Sequence, residues 1–276
     1  MAFRWSPDGR LVYVLPNQPL ALLDPETGQQ EPLPPVTLGD WSPDGGRLAY
    51  GQDGSLYVYD LSTGQEQPVV VASDGVAASD PAWSPRGDWI ACTLEADGDT
   101  YVGLVSPEPA ELTNTPDLLA PFEGQEAPVL RFAWSPDGSH LAALTADPRA
   151  GRQRATLYVA DAPAREDTPL KWREILQLET MTQTIGLAWS PDGEKLALAA
   201  GNEIWEATAA GEATRRQRFS APEPAWTTPE WAPDGSGFLV GLMGAGVGYT
   251  EHLYWFPANG SDPVLLLVGF DAARFP

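Results

Sequence analysis

The sequence is poor in cysteine, histidine and lysine and rich in acidic residues. It contains one cysteine, two histidines and two lysines, and its 38 Asp and Glu against 16 Lys and Arg give a net charge of −22. A single cysteine, Cys92, excludes an internal disulfide and lies in an apolar run typical of a buried strand. A surface this negative repels phosphate backbones, so we predict no nucleic-acid partner. Three interpretations of the negative charge remain: a solvated acidic surface, a surface that binds cations, or a surface that binds a basic protein partner.

Long apolar segments are also missing. The chain has no run of 20 apolar residues, which predicts that no segment spans a membrane. A strand-like pattern begins within four residues of Met1 and leaves no room for a signal peptide. Two alternatives follow: the protein is cytoplasmic as written, or the sequence was cut from a longer secreted chain.

Catalytic and metal-binding patterns are sparse. There is no Gly-x-Ser-x-Gly elbow, and only His140 and His252 could act as imidazole bases; each position favours a structural role. No His or Cys pair has zinc spacing, and the stretch 97–99 lacks the further ligands of a calcium loop. The glycine-rich stretch 244–248 lacks the strand-then-helix context of a phosphate loop. We predict a protein without catalytic activity, without a cofactor and without a resident metal.

The chain does contain a pentapeptide that recurs six times. Trp-Ser-Pro-Asp-Gly or a near copy begins at each of six tryptophans, Trp5, Trp41, Trp83, Trp134, Trp189 and Trp231. Proline suits the second position of a type I turn, aspartate tolerates the third and glycine takes the positive φ of the fourth. Each copy therefore predicts a hairpin with a glycine bulge between two antiparallel strands. The third copy departs from the pattern, with Arg86 where Asp is expected and Asp88 displaced past the glycine.

Two further strands follow each hairpin. The second strand of each unit is apolar at nearly every position, which indicates that both of its faces are covered. A third strand ends at Asp24 and at Asp60, each 19 residues after its tryptophan and each followed by a Thr-Gly turn and a short fourth strand. Four short strands repeated at this spacing predict an all-β protein built of propeller blades.

This hairpin, followed by Leu-Ala and the Tyr-Val-Tyr-Asp third strand, resembles the TolB-like, WD40-like propeller repeat known as PD40. The resemblance covers the whole chain and implies a six-bladed β-propeller with four antiparallel strands per blade. We expect this propeller to form one domain, with blades at approximately 1–35, 36–77, 78–127, 128–182, 183–224 and 225–276. The resemblance also favours a periplasmic or extracellular location, although the N-terminal α/β domain of TolB is absent. We expect the repeated tryptophans to pack between neighbouring blades.

The end of the chain imitates the start of another blade. Phe275 falls 17 residues after Ala258, as Trp41 does after Asp24. We interpret residues 273–276 as a strand that closes the ring, which would otherwise present an edge strand. The alternative is that a longer parent chain was truncated here.

The predicted binding surface lies on the propeller face that carries the long loops. The repeated hairpins share one face, while the second-to-third-strand and blade-to-blade connections lie on the opposite face and vary in length. Variable loops on a rigid scaffold are where binding residues concentrate. The candidate partner-binding residues are Phe122, Arg149, Arg152, Arg154, Trp226, Tyr249 and His252. They predict a scaffold for a protein or peptide partner.

Three alternatives remain. The chain could be the propeller of a larger prolyl-oligopeptidase-like hydrolase whose catalytic domain lies in a missing neighbouring domain. It could bind a glycan or small ligand through Trp226 and Tyr249. The loops could also be solvated segments without a partner.

Overall fold

The fold consists of β-strands and turns. A computed structural model describes residues 2–7, 9–14, 21–33, 39–73, 75–96, 99–108, 129–147, 153–163, 170–180, 185–219, 225–226, 228–243 and 251–268. Within these ranges the regular structure is all strand, and every sheet is antiparallel. The predicted all-β class is therefore confirmed. The chain divides into two compact units: Met1–Gln125 with Pro163–Pro169, and Glu126–Ala162 with Leu170–Pro276.

The described part of the first unit holds three sheets. Sheet 1 contains β1 (Ala2–Trp5), β2 (Leu11–Val14), β3 (Ala21–Leu23) and β4 (Gln30–Pro32), and sheet 2 contains β5 (Asp40–Trp41), β6 (Arg47–Gln52), β7 (Ser55–Asp60) and β8 (Gln65–Val70). Sheet 3 contains β9 (Val76–Trp83), β10 (Ile90–Ala96) and β11 (Asp99–Val105). In each sheet the strands pair in sequence order, as a meander.

The described part of the second unit also holds three sheets. Sheet 4 contains β12 (Val129–Trp134), β13 (His140–Asp147), β14 (Gln153–Asp161) and β15 (Trp172–Thr180), and sheet 5 contains β16 (Ile185–Trp189), β17 (Lys195–Ala200), β18 (Glu203–Thr208) and β19 (Ala213–Arg218). Sheet 6 contains β20 (Ala225–Trp226), β21 (Glu230–Trp231), β22 (Gly237–Met243), β23 (Glu251–Pro257) and β24 (Val264–Val268), with β20 and β21 both paired to β22. The predicted blade boundaries stay a prediction, and the expected closing strand at 273–276 lies outside the described residues.

The second strand of a sheet is buried on both faces, as its unbroken apolar run indicates. In β17, Leu196, Leu198 and Ala200 pack against sheet 4, while Ala197 and Ala199 pack against sheet 6. Alternate side chains of one strand thus enter two different cores. Sheet 5 is therefore packed between two neighbouring sheets within the second unit.

A buried serine closes the Trp-Ser-Pro-Asp-Gly turn. Ser135 Oγ donates a hydrogen bond to Asp137 Oδ1 at 2.6 Å and accepts one from the backbone N–H of His140 at 2.9 Å. The Ser135 side chain is fully buried, so these bonds satisfy a polar group that water cannot reach. The same serine–aspartate pair recurs as Ser42–Asp44 at 2.6 Å and Ser190–Asp192 at 2.5 Å.

The third copy of the turn keeps this bond despite its altered sequence. Ser84 Oγ donates to Asp88 Oδ1 at 2.7 Å, so the carboxylate displaced past the glycine occupies the role that Arg86 cannot fill. Arg86 in turn lies 3.4 Å from Asp88, Nε to Oδ2. In these four copies a carboxylate lies within reach of the serine hydroxyl, and the sequence position that supplies it can vary. The sixth copy has Ala232 in place of the serine and forms the same backbone turn without the pair.

Replacing Ser135 with alanine tests this turn. The hydrogen bond from Ser135, followed by the bonds from Ser139, lowers the pKa of Asp137 to about 2. A depressed pKa contributes stability that is complete above the unfolded-state pKa of roughly 4 and is lost as the pH falls towards 2. We expect Ser135→Ala to raise the pKa of Asp137 and to lower the free energy of unfolding by about 1–3 kcal/mol at neutral pH.

The pKa of Asp137 can be followed by NMR titration of its side-chain carboxyl carbon. Asp60 is the internal control, because its pKa of about 2 is set by hydrogen bonds from Ser62 and Thr63 in the first unit. An unchanged Asp137 titration in the variant, or an equal shift at Asp60, would contradict the assignment.

Four of the repeated tryptophans, Trp41, Trp83, Trp189 and Trp231, pack onto the preceding sheet in their own unit. Trp189 shares a core with Ala142 and Leu144 of sheet 4, and Trp83 shares one with Val58 of sheet 2. The indole Nε1 of Trp189 donates to the backbone oxygen of Ala133 at 3.0 Å, and Trp231 repeats this bond to Ala188 at 3.2 Å. Trp41 and Trp83 are also buried, Trp134 is half-buried, and the Trp5 side chain lies outside the described residues.

The outer strand of four sheets contains a register shift. The extra residue, which has no cross-strand partner, is Val69, Ile175, Arg216 or Leu266. Such a bulge bends an edge strand and discourages pairing with another chain. In β24 it adjoins exposed apolar residues, since Val264, Leu265 and Leu266 are 43–49% exposed.

Candidate binding surface

The antiparallel order gives every sheet two chemically different ends. The hairpin end carries the repeated tryptophan turns and the turns between third and fourth strands. The loop end carries the second-to-third-strand turns and the connections to the next sheet. At the hairpin end, turn aspartates are engaged: Asp60 Oδ1, for example, accepts bonds from both the N–H and the hydroxyl of Ser62. Side chains already satisfied within a turn offer little to a partner.

The structure places two of the seven predicted binding side chains at the loop end. Arg154 is the second residue of β14 in sheet 4, and His252 is the second residue of β23 in sheet 6. Trp226 lies in β20, but its side chain is outside the described part of the structure. Phe122, Arg149, Arg152 and Tyr249 lie outside the described residues, so their roles stay predictions.

Arg154 and His252 differ in their surroundings. Arg154 is exposed, and its backbone pairs with Asp147 and Glu179 of the flanking strands. His252 is half-buried, with its ring edge-to-face against Tyr254 at 6.2 Å. Its buried Nδ1 has no hydrogen-bond partner among the residues that the structure describes. These two side chains therefore offer a cation and an imidazole at the loop end.

Sequence reasoning missed the position that His252 occupies in the repeat. Relative to the outer-strand bulge, His252 is equivalent to Ser55, Thr156 and Glu203. The position is polar in all four sheets and largely buried. Ser55 and Glu203 each fall 14 residues after their tryptophan, which was a readable signal, but longer loops shift it in the other two sheets.

Glu203 uses this position to build a local network. Its Oε1 lies 3.0 Å from Arg215 Nη1 and 3.6 Å from Arg218 Nε, and its Oε2 accepts a hydrogen bond from Trp205 Nε1 at 3.0 Å. The Arg215 guanidinium lies 5.9 Å from the centre of the Trp205 ring, within cation–π range. Both carboxylate oxygens are engaged, so Glu203 organises the end of sheet 5.

His140 occupies a structural position at the hairpin end. It begins β13, its Nδ1 lies 3.0 Å from Asp161 Oδ1, and its ring stacks on Trp189 with centroids 6.1 Å apart. Hydrogen bonds from Arg173 lower the pKa of Asp161. Burial acts in the opposite direction, and the charge of Arg173 lowers the pKa further. His140 and Asp161 therefore link the second and third strands of sheet 4 to Trp189 of sheet 5.

A concavity lies at the loop end of the first unit. It is a groove of about 650 Å³ between the β6–β7 turn, the connection from sheet 2 to sheet 3, and the facing ends of β10 and β11. Its lining includes Asp53, Gly54, Ala77, Glu95 and Thr100. This size falls in the range of known ligand sites. None of these residues was among the seven predicted from the sequence.

Backbone contacts fix the groove walls. Asp53 and Gly54 form a tight turn with φ values of 50° and 76°, as an Asp-Gly hairpin requires. The oxygen of Gly54 accepts a hydrogen bond from the N–H of Ala78 at 2.7 Å, and Ser55 Oγ accepts one from the N–H of Ala72 at 2.9 Å. A Cβ at Gly54 would lie only 3.1 Å from Ala77 Cβ. The turn and the inter-sheet connection are therefore held together before any ligand arrives.

The described residues have three further properties that bear on function. No described group of three or more His, Cys, Asp or Glu side chains is arranged to hold a metal ion. Cys92 is fully buried, and burial raises the pKa of its thiol to about 12, which keeps the sulfur protonated and unreactive. In the described ranges, no helix has the length and apolar character needed to cross a membrane.

Comparison with solved structures identifies propeller proteins as neighbours. No family model matches the chain, and a search of curated proteins finds no match. A chain of a mitotic checkpoint complex matches at 15% identity and a TM-score of 0.65, covering 96% of this chain and 78% of that one. A protein assigned as TolB from Agrobacterium tumefaciens matches at 19% identity and a TM-score of 0.54, covering 89% and 87%. A prolyl endopeptidase matches at 16% identity and a TM-score of 0.66, covering 98% of this chain and 42% of that one.

These neighbours support a propeller fold for this chain, which confirms the coarser part of the sequence prediction. At identities below 20% the likeness concerns the fold alone. Membership of the PD40 repeat family stays a prediction.

Proposed function

We propose that the protein is a six-bladed β-propeller that acts as a non-catalytic scaffold and binds a protein or peptide partner at the loop end of its sheets. The observation that carries the proposal is the preformed groove between sheets 2 and 3. Hydrogen bonds within the protein hold the β6–β7 turn to the connection between sheets 2 and 3, so these two walls are set before a ligand binds.

The contrast between the two ends supports this location. The hairpin end repeats one turn whose polar groups satisfy one another, so it presents similar chemistry in each sheet. The loop end varies from sheet to sheet and displays Asp53, Glu95, Arg154 and His252. Rigid strands that position variable loops are a common arrangement in binding proteins.

The function can be tested with a displayed peptide library selected on the immobilised full chain. We expect selected peptides to lose at least about tenfold in affinity when Arg154 is changed to Glu or Asp53 to Lys, since either change reverses a charge at the loop end. Charge-reversal controls at the hairpin end, Glu26→Lys and Glu194→Lys, should leave affinity within about twofold. Peptides sensitive only to the hairpin-end variants, or cleavage of the library by the chain, would contradict the proposal.

A second candidate is the propeller part of a prolyl-oligopeptidase-like hydrolase. It is favoured by one observation: the matched prolyl endopeptidase is more than twice as long as the region that this chain covers. An encoding gene that continues into a Gly-x-Ser-x-Gly α/β domain would support it. The glycan-binding alternative depends on Trp226 and Tyr249, whose side chains lie outside the described residues.

A further inference from the structure

The groove between sheets 2 and 3 contains two carboxylates that have no ion-pair partner among the described residues. Asp53 lies in the β6–β7 turn and Glu95 lies near the end of β10, and both side chains are exposed. Neither carboxylate forms an ion pair or a side-chain hydrogen bond with any described residue. By contrast, the carboxylates of Asp44 and Asp60 at the hairpin end of the same sheet are held by turn hydrogen bonds. The groove carboxylates are therefore available to a ligand.

The rest of the groove is small and weakly polar. Val76 and Ala77 line one wall and are half-buried, and Thr100 lies across from Glu95 in the paired strands. Small apolar side chains between two carboxylates suit a ligand group that has an apolar stem and a charged head. Lysine and arginine side chains have this form, because their methylene chains pack against apolar surface while the cation stays hydrated or paired.

Charge across the chain reinforces this chemistry. Residues 1–125 contain 19 Asp and Glu against four Arg and no Lys, a balance of −15, whereas residues 126–276 contain 19 against 12, a balance of −7. The groove thus lies in the more acidic part of the sequence. A field of this sign attracts cationic segments and speeds their association at low salt.

We propose that this groove recognises an arginine or lysine side chain on an extended segment of a basic protein partner. The inference rests on the proposed scaffold function and names the chemistry of its ligand. The carboxylates of Asp53 and Glu95 pair with the cation, while Val76 and Ala77 contact its methylene stem. The described lining residues supply two carboxylates, fewer than the six to eight oxygen ligands of a calcium ion.

NMR spectroscopy of the full chain provides the test. The probe is the capped tripeptide acetyl-Ala-Arg-Ala-amide, and its control is the same peptide with citrulline, which keeps the shape of arginine but carries no charge. We expect the arginine peptide to shift the backbone amide signals of Gly54, Ala77 and Thr100, and the citrulline peptide to bind at least about tenfold more weakly. Raising the ionic strength from 0.01 to 0.15 M shortens the Debye length from about 30 to about 8 Å. We expect this change to lower the affinity of the arginine peptide for the protein.

Matched variants locate the interaction. Asp53→Asn keeps a residue that tolerates the positive φ of the turn, and Glu95→Gln keeps the side-chain shape, so both should fold. We expect the double variant to lose at least about tenfold in affinity for the arginine peptide. Glu26→Gln removes one exposed charge at the hairpin end of sheet 1 and should have no effect beyond about twofold.

Four results would overturn the inference: no shift at the groove amides, equal binding of the two peptides, equal losses in the double variant and in Glu26→Gln, or shifts of the same amides by 1 mM calcium chloride that block the arginine peptide. The outcome is separable from that of the scaffold proposal. Display-selected peptides could lose affinity with Arg154→Glu but not with the groove double variant. That result would support the scaffold proposal and contradict the groove as its binding site.

Discussion

Replacing Trp189 with alanine is expected to lower the free energy of unfolding by about 3–5 kcal/mol. The indole is 8% exposed, belongs to the core between sheets 4 and 5, and donates a hydrogen bond to the backbone oxygen of Ala133. Alanine would leave a cavity at the contact between two sheets and would leave that oxygen without its donor. Urea denaturation followed by far-UV circular dichroism measures the change without depending on the tryptophan removed.

Phenylalanine variants separate packing from hydrogen bonding. Trp189→Phe keeps most of the buried area but loses the bond to Ala133, so we expect a loss of about 1–3 kcal/mol. Trp41 is equally buried, yet its Nε1 has no hydrogen-bond partner among the described residues, so Trp41→Phe should cost less. A larger loss for Trp41→Phe than for Trp189→Phe would contradict the role of the indole hydrogen bond.

Replacing Arg216 with leucine is the second change with a large expected effect, a loss of about 3–5 kcal/mol. The Arg216 side chain is 5% exposed and lies 2.7 Å from Glu206, Nη1 to Oε2. Its Nη2 donates to the backbone oxygens of Pro257 at 2.7 Å and Ser261 at 3.2 Å, so one guanidinium joins sheet 5 to the third strand of sheet 6. Leucine would leave Glu206, itself 15% exposed, with Lys195 as its remaining cation.

The neighbouring arginine is a matched control. Arg215 lies in the same strand and also forms an ion pair, 3.0 Å from Glu203, but its side chain is 47% exposed. Exposed pairs contribute little, so Arg215→Leu should cost less than about 1 kcal/mol. The double variant Arg216→Leu/Glu206→Leu removes the buried charge together with its partner and should recover part of the loss. Equal midpoints of urea denaturation for the two single variants would refute this account.

The strands and turns could be predicted from the sequence because local chemistry specifies them. Proline, aspartate and glycine at fixed offsets define the hairpin, and the apolar run after it defines a strand buried on both faces. The altered turn at Arg86 could not be predicted from the local pattern. The hydrogen bond from Ser84 to Asp88 depends on the distance between their side chains in the folded turn. A pattern of residue types does not predict which carboxylate accepts the hydrogen bond from the serine.

The features that sequence reasoning missed depend on distant segments. The Asp53-Gly54 turn is a readable hairpin signal, but the groove also requires Ala77 and Glu95, which only the stacking of sheets 2 and 3 brings near it. The bulge at Arg216 was hidden because β19 is polar at five consecutive positions, so no alternation of polar and apolar residues records a one-residue register shift. The order of the strands places Arg154 and His252 at the loop end. The other five predicted residues stay predictions, because no repeat constrains the long connections of this end.

The indole hydrogen bonds of Trp189 and Trp231 both run from one sheet to the sheet before it in the sequence. Each such bond needs only the adjacent sheet, so the coupling in this unit is between nearest neighbours. The same two atom types form the bond at both junctions. Loss of one indole is therefore expected to weaken its own junction and to leave the bond at the other junction in place.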